Sequence, residues 1–82
     1  MKGDLNNAEV IEAFLDGLDG VNSACNLRSE DRVLLSYNRP IAHLREAGRI
    51  LIMSEELFTK PTIKKHIKMV RSMSTNLKWD KN

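Results

Sequence analysis

Residues 32–53 read RVLLSYNRPIAHLREAGRILIM, and this stretch predicts a β-hairpin. Apolar, β-branched and aromatic residues fill two runs, and the turn between them is expected at residues 46–48, where Gly48 is free to take a positive φ. Pro40 interrupts the first run, because proline cannot donate to a strand ladder and implies a bulge or a sheet edge. The second run, residues 49–53, is mostly apolar, which indicates a strand covered on both faces.

A helix is predicted on the N-terminal side of this hairpin, over about residues 7–18. Asn6 is a favourable N-cap, and Glu9 stands three residues later, where its carboxylate completes a capping box. Apolar residues recur at helical spacing from Val10 onward, and Gly20 suits a C-terminal stop.

A second helix is predicted on the C-terminal side, over about residues 61–76. Pro61 is tolerated in a first helical turn, and the hydroxyl of Thr59 or Thr62 is expected to cap it. Apolar residues follow one side of this helix, and basic residues follow the opposite side.

The sequence therefore predicts a single α+β domain over residues 1–82, in which a small antiparallel sheet of two to three strands packs with two main helices. Residues 21–31 are polar and offer at most a short edge strand, and the tail, residues 78–82, is expected to fray. The expected core consists of Val10, Phe14, Leu15, Leu18, Val33, Leu35, Tyr37, Ile41, Ile50, Ile52, Phe58, Ile63, Ile67 and Val70.

The residue types that carry catalysis or bind metals are sparse. Cys25 is the only cysteine, and His43 and His66 stand apart, without the tight spacing of a zinc site. Cys25 is expected to be a small buried side chain, His66 a boundary residue with one nitrogen in water, and His43 a strand residue on a solvated face. We therefore expect no metal, no cofactor and no enzymatic activity.

Three features of the chain favour a cytoplasmic location. A single thiol suits a reducing compartment, and no apolar run approaches the length of a membrane span. Residues 1–9 lack the basic-then-apolar pattern of a signal peptide. No contact with a membrane is expected.

The net charge of +2 is unevenly distributed along the chain. Residues 1–31 carry two basic and seven acidic side chains, whereas residues 32–82 carry eleven basic and four acidic ones. The two halves either attract each other within the fold, or the basic half binds an anionic partner. The candidate partner-binding residues form a basic helix face, and they are Lys64, Lys65, Lys68, Arg71 and Lys78. A solvated helix face is the alternative interpretation. A second candidate site is the strand bend at Tyr37, Asn38 and Arg39.

Residues 24–71 resemble a small uncharacterised family found in bacterial, plasmid and phage genomes. The residues that carry the resemblance, in the order shared with the family, are Ala24, Asn26, Leu27, Leu35, Ser36, Tyr37, Asn38, Pro40, Ile41, Ala42, Gly48, Phe58, Thr59, Thr62, Lys65 and His66. The chain departs from the family pattern at Arg39, Phe58 and Pro61, where the family has threonine, tyrosine and threonine.

The resemblance implies a fold and a mobile-element setting but no transferable activity, and short accessory proteins of phages commonly bind and block a host protein. We therefore expect a small accessory or regulatory protein that binds a host or defence macromolecule and modulates or inhibits it, in the manner of an anti-CRISPR or host-takeover protein. The alternative is a nucleic-acid-binding regulator that uses its basic C-terminal helix. A host or defence protein is the first expected partner, nucleic acid the second, and a homodimer is a further option.

Overall fold

The computed structural model describes residues 5–80, which form two α-helices and a six-stranded sheet. In chain order the elements are α1 (Asn7–Leu15), β1 (Gly20–Val21), β2 (Leu27–Glu30), β3 (Val33–Ser36), β4 (Arg39–Leu44), β5 (Arg49–Ile52), α2 (Pro61–Met73) and β6 (Lys78–Asp80). Short 3₁₀ turns at Glu46–Gly48 and Glu55–Leu57 connect β4 to β5 and β5 to α2.

The strands lie side by side in the order of the chain, from β1 to β6. Each pair from β1 to β5 is antiparallel, as short connections require. β6 runs parallel to β5, because α2 carries the chain back along the sheet before β6 begins. Both helices pack against the same sheet face, which is called the inner face below, and the opposite side is the outer face.

The prediction of two to three strands is wrong. Two tight turns, neither of which contains a glycine, separate β2 from β3 and β3 from β4, so the sheet has more strands than expected. Asp31 and Arg32 connect β2 to β3 with φ values of 54° and 65°, and Tyr37 and Asn38 connect β3 to β4 with 51° and 65°. Two consecutive positive φ values are the geometry of a two-residue type I′ hairpin turn. The usual sequence signal is Asn-Gly or Asp-Gly, and neither turn contains a glycine.

Pro40 marks an irregularity within the sheet, as expected. Leu34 pairs with Ala42 and Leu35 pairs with Pro40, so β4 has one extra residue, Ile41, at this point. The bulge lets Ile41 and Ala42, which are adjacent in sequence, both be buried.

The expectation of a frayed tail is wrong for Lys78–Asp80, which form β6, whereas residues 81–82 and 1–4 lie outside the described part of the chain. Trp79 Nε1 donates a hydrogen bond of 3.0 Å to the Ser74 carbonyl just beyond α2. Asp80 lies 2.9 Å from the Arg49 guanidinium on β5. The pair of Arg49 and Asp80 joins residues 31 positions apart, and no local sequence pattern predicts it.

Both helices are shorter than predicted. The capping box between Asn6 and Glu9 is confirmed, with both hydrogen bonds at 2.8 Å, but α1 ends at Leu15. Gly17, not Gly20, takes the positive φ, at 75°. α2 ends at Met73 rather than at residue 76.

The predicted threonine cap of α2 is wrong. Lys60 occupies the N-cap position, and no side chain caps the helix there. Pro61 stands at the first helical position, as predicted, where its missing N–H leaves no donor to be satisfied.

The core lies between the helices and the inner face of the sheet. Leu18 and Tyr37, both expected in the core, are exposed, and Leu15, Val33 and Leu35 are only partly buried. In β3 the inward positions are Leu34 and Ser36, because alternation turns every second side chain to the same face. The buried apolar residues of the core are Val10, Ile11, Phe14, Leu27, Leu34, Ile41, Ala42, Leu44, Ile50, Ile52, Phe58, Ile63, Ile67 and Val70.

Phe14→Ala is expected to destabilise the fold by about 3–5 kcal/mol, because it empties a fully buried position. The matched control is Leu18→Ala, which removes a side chain that is 60% exposed and is expected to cost under about 0.5 kcal/mol. Urea unfolding of both variants measures the difference, and equal losses of stability would contradict this packing.

Candidate functional site

The basic helix face is partly neutralised and is shorter than predicted. Lys64, Lys65, Lys68 and Arg71 lie on α2, but Lys78 lies on β6. Glu55 approaches two of the cations, at 3.9 Å from Lys68 and 3.8 Å from Arg71. Within residues 5–80, Lys64 and Lys65 have no ion-pair partner, so they are the cations of α2 with the most available charge.

The strand bend is the turn between β3 and β4, and several contacts hold its side chains. Lys60 Nζ lies 4.6 Å above the ring of Tyr37, and the Tyr37 hydroxyl accepts a 3.3 Å hydrogen bond from Asn26 Nδ2. The guanidinium of Arg39 covers the Phe58 ring at 4.9 Å. Arg28 donates a hydrogen bond to Asn38 Oδ1 from the neighbouring strand.

A polar cleft of about 390 Å³ opens beside this bend. It is called the amide cleft below, and its lining is Leu5, Asn6, Asn7, Asn22, Ser23, Ala24, Asn26, Thr62, Lys65 and His66. The residues come from the start of α1, the connection between β1 and β2, and the first turns of α2. The cleft therefore brings Lys65, a predicted site residue, beside His66, which was predicted to be structural.

Asn22 holds one wall of the amide cleft in place. Its side chain is 4% exposed, and its Nδ2 donates to Asn7 Oδ1 at 2.8 Å and to Asn26 Oδ1 at 2.7 Å. Its Oδ1 accepts from the backbone N–H groups of Asn26 and Leu27, both at 3.0 Å. One amide thus satisfies four neighbours and fixes α1 against the β1–β2 connection.

His66 forms the floor of the cleft, together with a buried serine of the sheet. Its Nδ1 lies 2.7 Å from Ser36 Oγ, and the two residues are 1% and 0% exposed. The Ser36 hydroxyl has no other acceptor among the described residues, so we assign it as the donor to Nδ1, an assignment that places the ring hydrogen on Nε2. Burial, and the nearby charge of Lys65, lower the pKa of His66 below its ordinary value.

Nε2 of His66 is the ring nitrogen that does not contact Ser36. Nε2 has no hydrogen-bond partner within residues 5–80. Every fully buried polar side-chain atom in that range has a partner, so Nε2 is not fully buried. Because His66 lines the amide cleft, Nε2–H is the atom that contacts it. The expectation of a boundary histidine is wrong in burial, because His66 is 1% exposed, and its serine partner, 30 residues away, was missed.

The outer face of the sheet carries a second candidate surface. A shallow cavity of about 250 Å³ there is lined by Val33, Pro40, Ala42, His43, Leu51 and Met53. His43 is exposed, as predicted, and pairs across the strands with Val33 on one side and Leu51 on the other. The centre of this face is therefore apolar apart from one imidazole.

The prediction of a buried Cys25 is wrong: the residue is exposed, in a turn where its φ is 59°. Among the described residues, no three His, Cys, Asp or Glu side chains are grouped as a metal site would require. Neither helix within residues 5–80 has the length and apolar character needed to cross a bilayer.

Comparison with known proteins leaves the family of this chain open. No protein-family model, curated protein or solved structure matches the sequence or the fold. Several of the residues quoted for the predicted resemblance either line the amide cleft or contact a residue that lines it. These are Asn26, Ser36, Tyr37, Thr62, Lys65 and His66.

Stability is expected to fall as the pH is lowered from 7.5 to 5.5. The pKa of His66 is lowered in the folded chain, so the unfolded chain takes up its proton first as the pH drops through about 6.5. The loss approaches at most about 1.4 kcal/mol per pH unit for one proton. His66→Asn keeps an acceptor for Ser36 but cannot titrate, so urea unfolding should show a weaker pH dependence. Equal slopes for the two proteins would refute the assignment.

Proposed function

We propose that this protein is a small non-catalytic binding protein of the phage accessory type, which contacts a host or defence protein through the outer face of its sheet and modulates or inhibits it. The observation that carries the proposal is an apolar sheet face with no helix over it. A partner protein supplies the missing cover.

The cross-strand register defines this surface. One row runs across β2 to β6 as Glu30, Val33, His43, Leu51 and Asp80, each paired with the next. An antiparallel sheet with one solvated face normally alternates apolar inward residues with polar outward ones. Here Val33 and Leu51, on either side of His43, are apolar, and the mostly apolar sequence of β5 indicated coverage on both faces.

The charges around the apolar centre favour an acidic partner. Glu30 lies 3.1 Å from Arg28, and Asp80 lies 2.9 Å from Arg49, so both acids of the row are already paired. Lys78 has no ion-pair partner within residues 5–80. Arg32 uses its guanidinium only on the carbonyls of Leu44 and Arg45, at 3.3 Å each. Arg32 and Lys78 therefore supply positive charge beside the apolar centre, which suits an acidic protein surface with an apolar anchor.

The Ser36–His66 pair supports a non-catalytic role. A serine with a histidine within hydrogen-bond distance is the arrangement of an activated nucleophile. Ser36 is 0% exposed, however, so no substrate reaches its hydroxyl. The pair is better suited to holding α2 on the sheet.

A nucleic-acid partner is the second candidate, and one cluster of contacts favours it. Lys64 and Lys65 carry free charge, and Lys60 lies over the ring of Tyr37, which is 39% exposed. Cations beside an accessible aromatic ring suit a phosphate backbone and a stacked base.

The protein-binding proposal is tested by His43→Asp, which places a negative charge at the centre of the outer face without opening the core. The matched control is Leu18→Asp, at an exposed position outside that face. The tagged proteins are used to capture partners from a nuclease-treated host lysate. We expect an acidic protein that is retained by the control and bound at least tenfold more weakly by His43→Asp, a loss of about 1.4 kcal/mol. Equal capture by both variants would contradict the proposal.

The nucleic-acid candidate is tested by two double variants of α2. Lys64→Gln with Lys65→Gln removes free cations and should lower the salt dependence of binding to generic DNA by about two phosphate contacts. Lys68→Gln with Arg71→Gln removes cations shared with Glu55 and should have a smaller effect. This candidate fails if the unmodified protein shows no salt-sensitive binding to DNA or RNA.

A further inference from the structure

We propose that the amide cleft is an oxyanion-binding site, in which His66 Nε2–H and the Lys65 ammonium group bind a carboxylate or phosphate group. This site lies on the helix side of the sheet and does not depend on the function proposed for the outer face. A negative result for the oxyanion site would therefore not contradict the function proposed for the outer face.

The buried imidazole is the first argument for a ligand. His66 is 1% exposed, its Nδ1 is engaged by Ser36, and its Nε2 has no partner within residues 5–80. Because every fully buried polar side-chain atom among the described residues has a partner, Nε2 is accessible from the cleft and can donate to a group bound there. The Ser36 bond also fixes the ring orientation, so Nε2–H is directed to one place in the cleft.

The other donors of the cleft are also uncommitted. Asn7 uses only its Oδ1, as the acceptor from Asn22, so its Nδ2 is free within the described residues. The hydroxyl of Thr62 has no hydrogen bond within that range, and Lys65 has no ion pair there. One neutral amide donor, one hydroxyl and one ammonium group therefore line the same cleft as His66.

The charge of the lining selects the chemical class of the ligand. No carboxylate belongs to the lining, so nothing among the described residues neutralises Lys65 there. Because the pKa of His66 is lowered, its ring is neutral near pH 7 and acts as a donor rather than as a second cation. One positive charge with several neutral donors matches an acceptor-rich group with one or two negative charges.

The experiment is a titration of the uniformly ¹⁵N-labelled full chain, followed by NMR. Sodium acetate and sodium phosphate are the probes, and sodium chloride at matched ionic strength is the control. We expect saturable shifts of the Lys65 and His66 amides and of the His66 ring nitrogen with at least one oxyanion. Saturation with acetate identifies a carboxylate site, and saturation with phosphate identifies a phosphate site.

Paired variants separate the cleft donor from the Ser36 bond. His66→Asn keeps an acceptor near the Nδ1 position and loses the Nε2 donor, whereas His66→Gln keeps a donor near Nε2 and loses the partner of Ser36. His66→Asn and Lys65→Gln should each weaken oxyanion binding at least tenfold. His66→Gln should bind the oxyanion within threefold of the wild-type affinity. Lys78→Gln removes an equal charge from β6 and should leave the affinity unchanged.

Two results would overturn the proposal. Shifts that are the same for chloride as for both oxyanions would mean that only ionic strength acts on the cleft. Undiminished affinity of His66→Asn and Lys65→Gln would mean that any binding occurs elsewhere. Lys65 is exposed, so its variant keeps the fold and tests the site even if a His66 variant unfolds.

Discussion

The hydrogen bond between Ser36 and His66 joins two layers of the structure that are distant in the chain. Ser36 points inward from β3 and His66 points down from α2, and both are buried. A buried polar group without a partner is costly, so α2 can approach the sheet closely only where these two atoms meet. The bond thereby sets the helix in the position from which Lys60 covers Tyr37 and Lys65 borders the amide cleft.

The position of the helices determines which surfaces are available to partners. Because α1 and α2 both cover the inner face, the apolar centre around His43 stays open on the other side. The two surfaces differ in chemistry: the outer face combines apolar side chains with free positive charge, whereas the amide cleft collects hydrogen-bond donors around one lysine. The face proposed to bind a protein and the cleft proposed to bind an oxyanion therefore lie on opposite sides of the sheet, where their ligands would not compete.

Local features were predictable from the sequence and long-range ones were not. The capping box of Asn6 and Glu9, the start of α2 at Pro61 and the positive φ of Gly48 depend on residues that are close in the chain, and all three are confirmed. The turn at Tyr37 and Asn38 lacks the glycine that signals type I′ geometry, so one strand was expected where two exist. β6 and the Ser36–His66 bond depend on tertiary contacts, and periodicity carries no information about them. The basic residues of α2 could likewise be identified from the sequence. The pairing of Glu55 with Lys68 and Arg71, which leaves Lys64 and Lys65 unpaired among the described residues, could not.

The central claim is that His66 is a neutral imidazole that accepts from Ser36 at Nδ1 and carries its hydrogen on Nε2. The most direct test is the ¹⁵N NMR spectrum of the imidazole, in which an unprotonated ring nitrogen and an N–H nitrogen have well-separated chemical shifts. At pH 7 the account predicts an unprotonated Nδ1 and a protonated Nε2, with the pattern changed in Ser36→Ala. A protonated Nδ1, or a ring charged at both nitrogens, would contradict it.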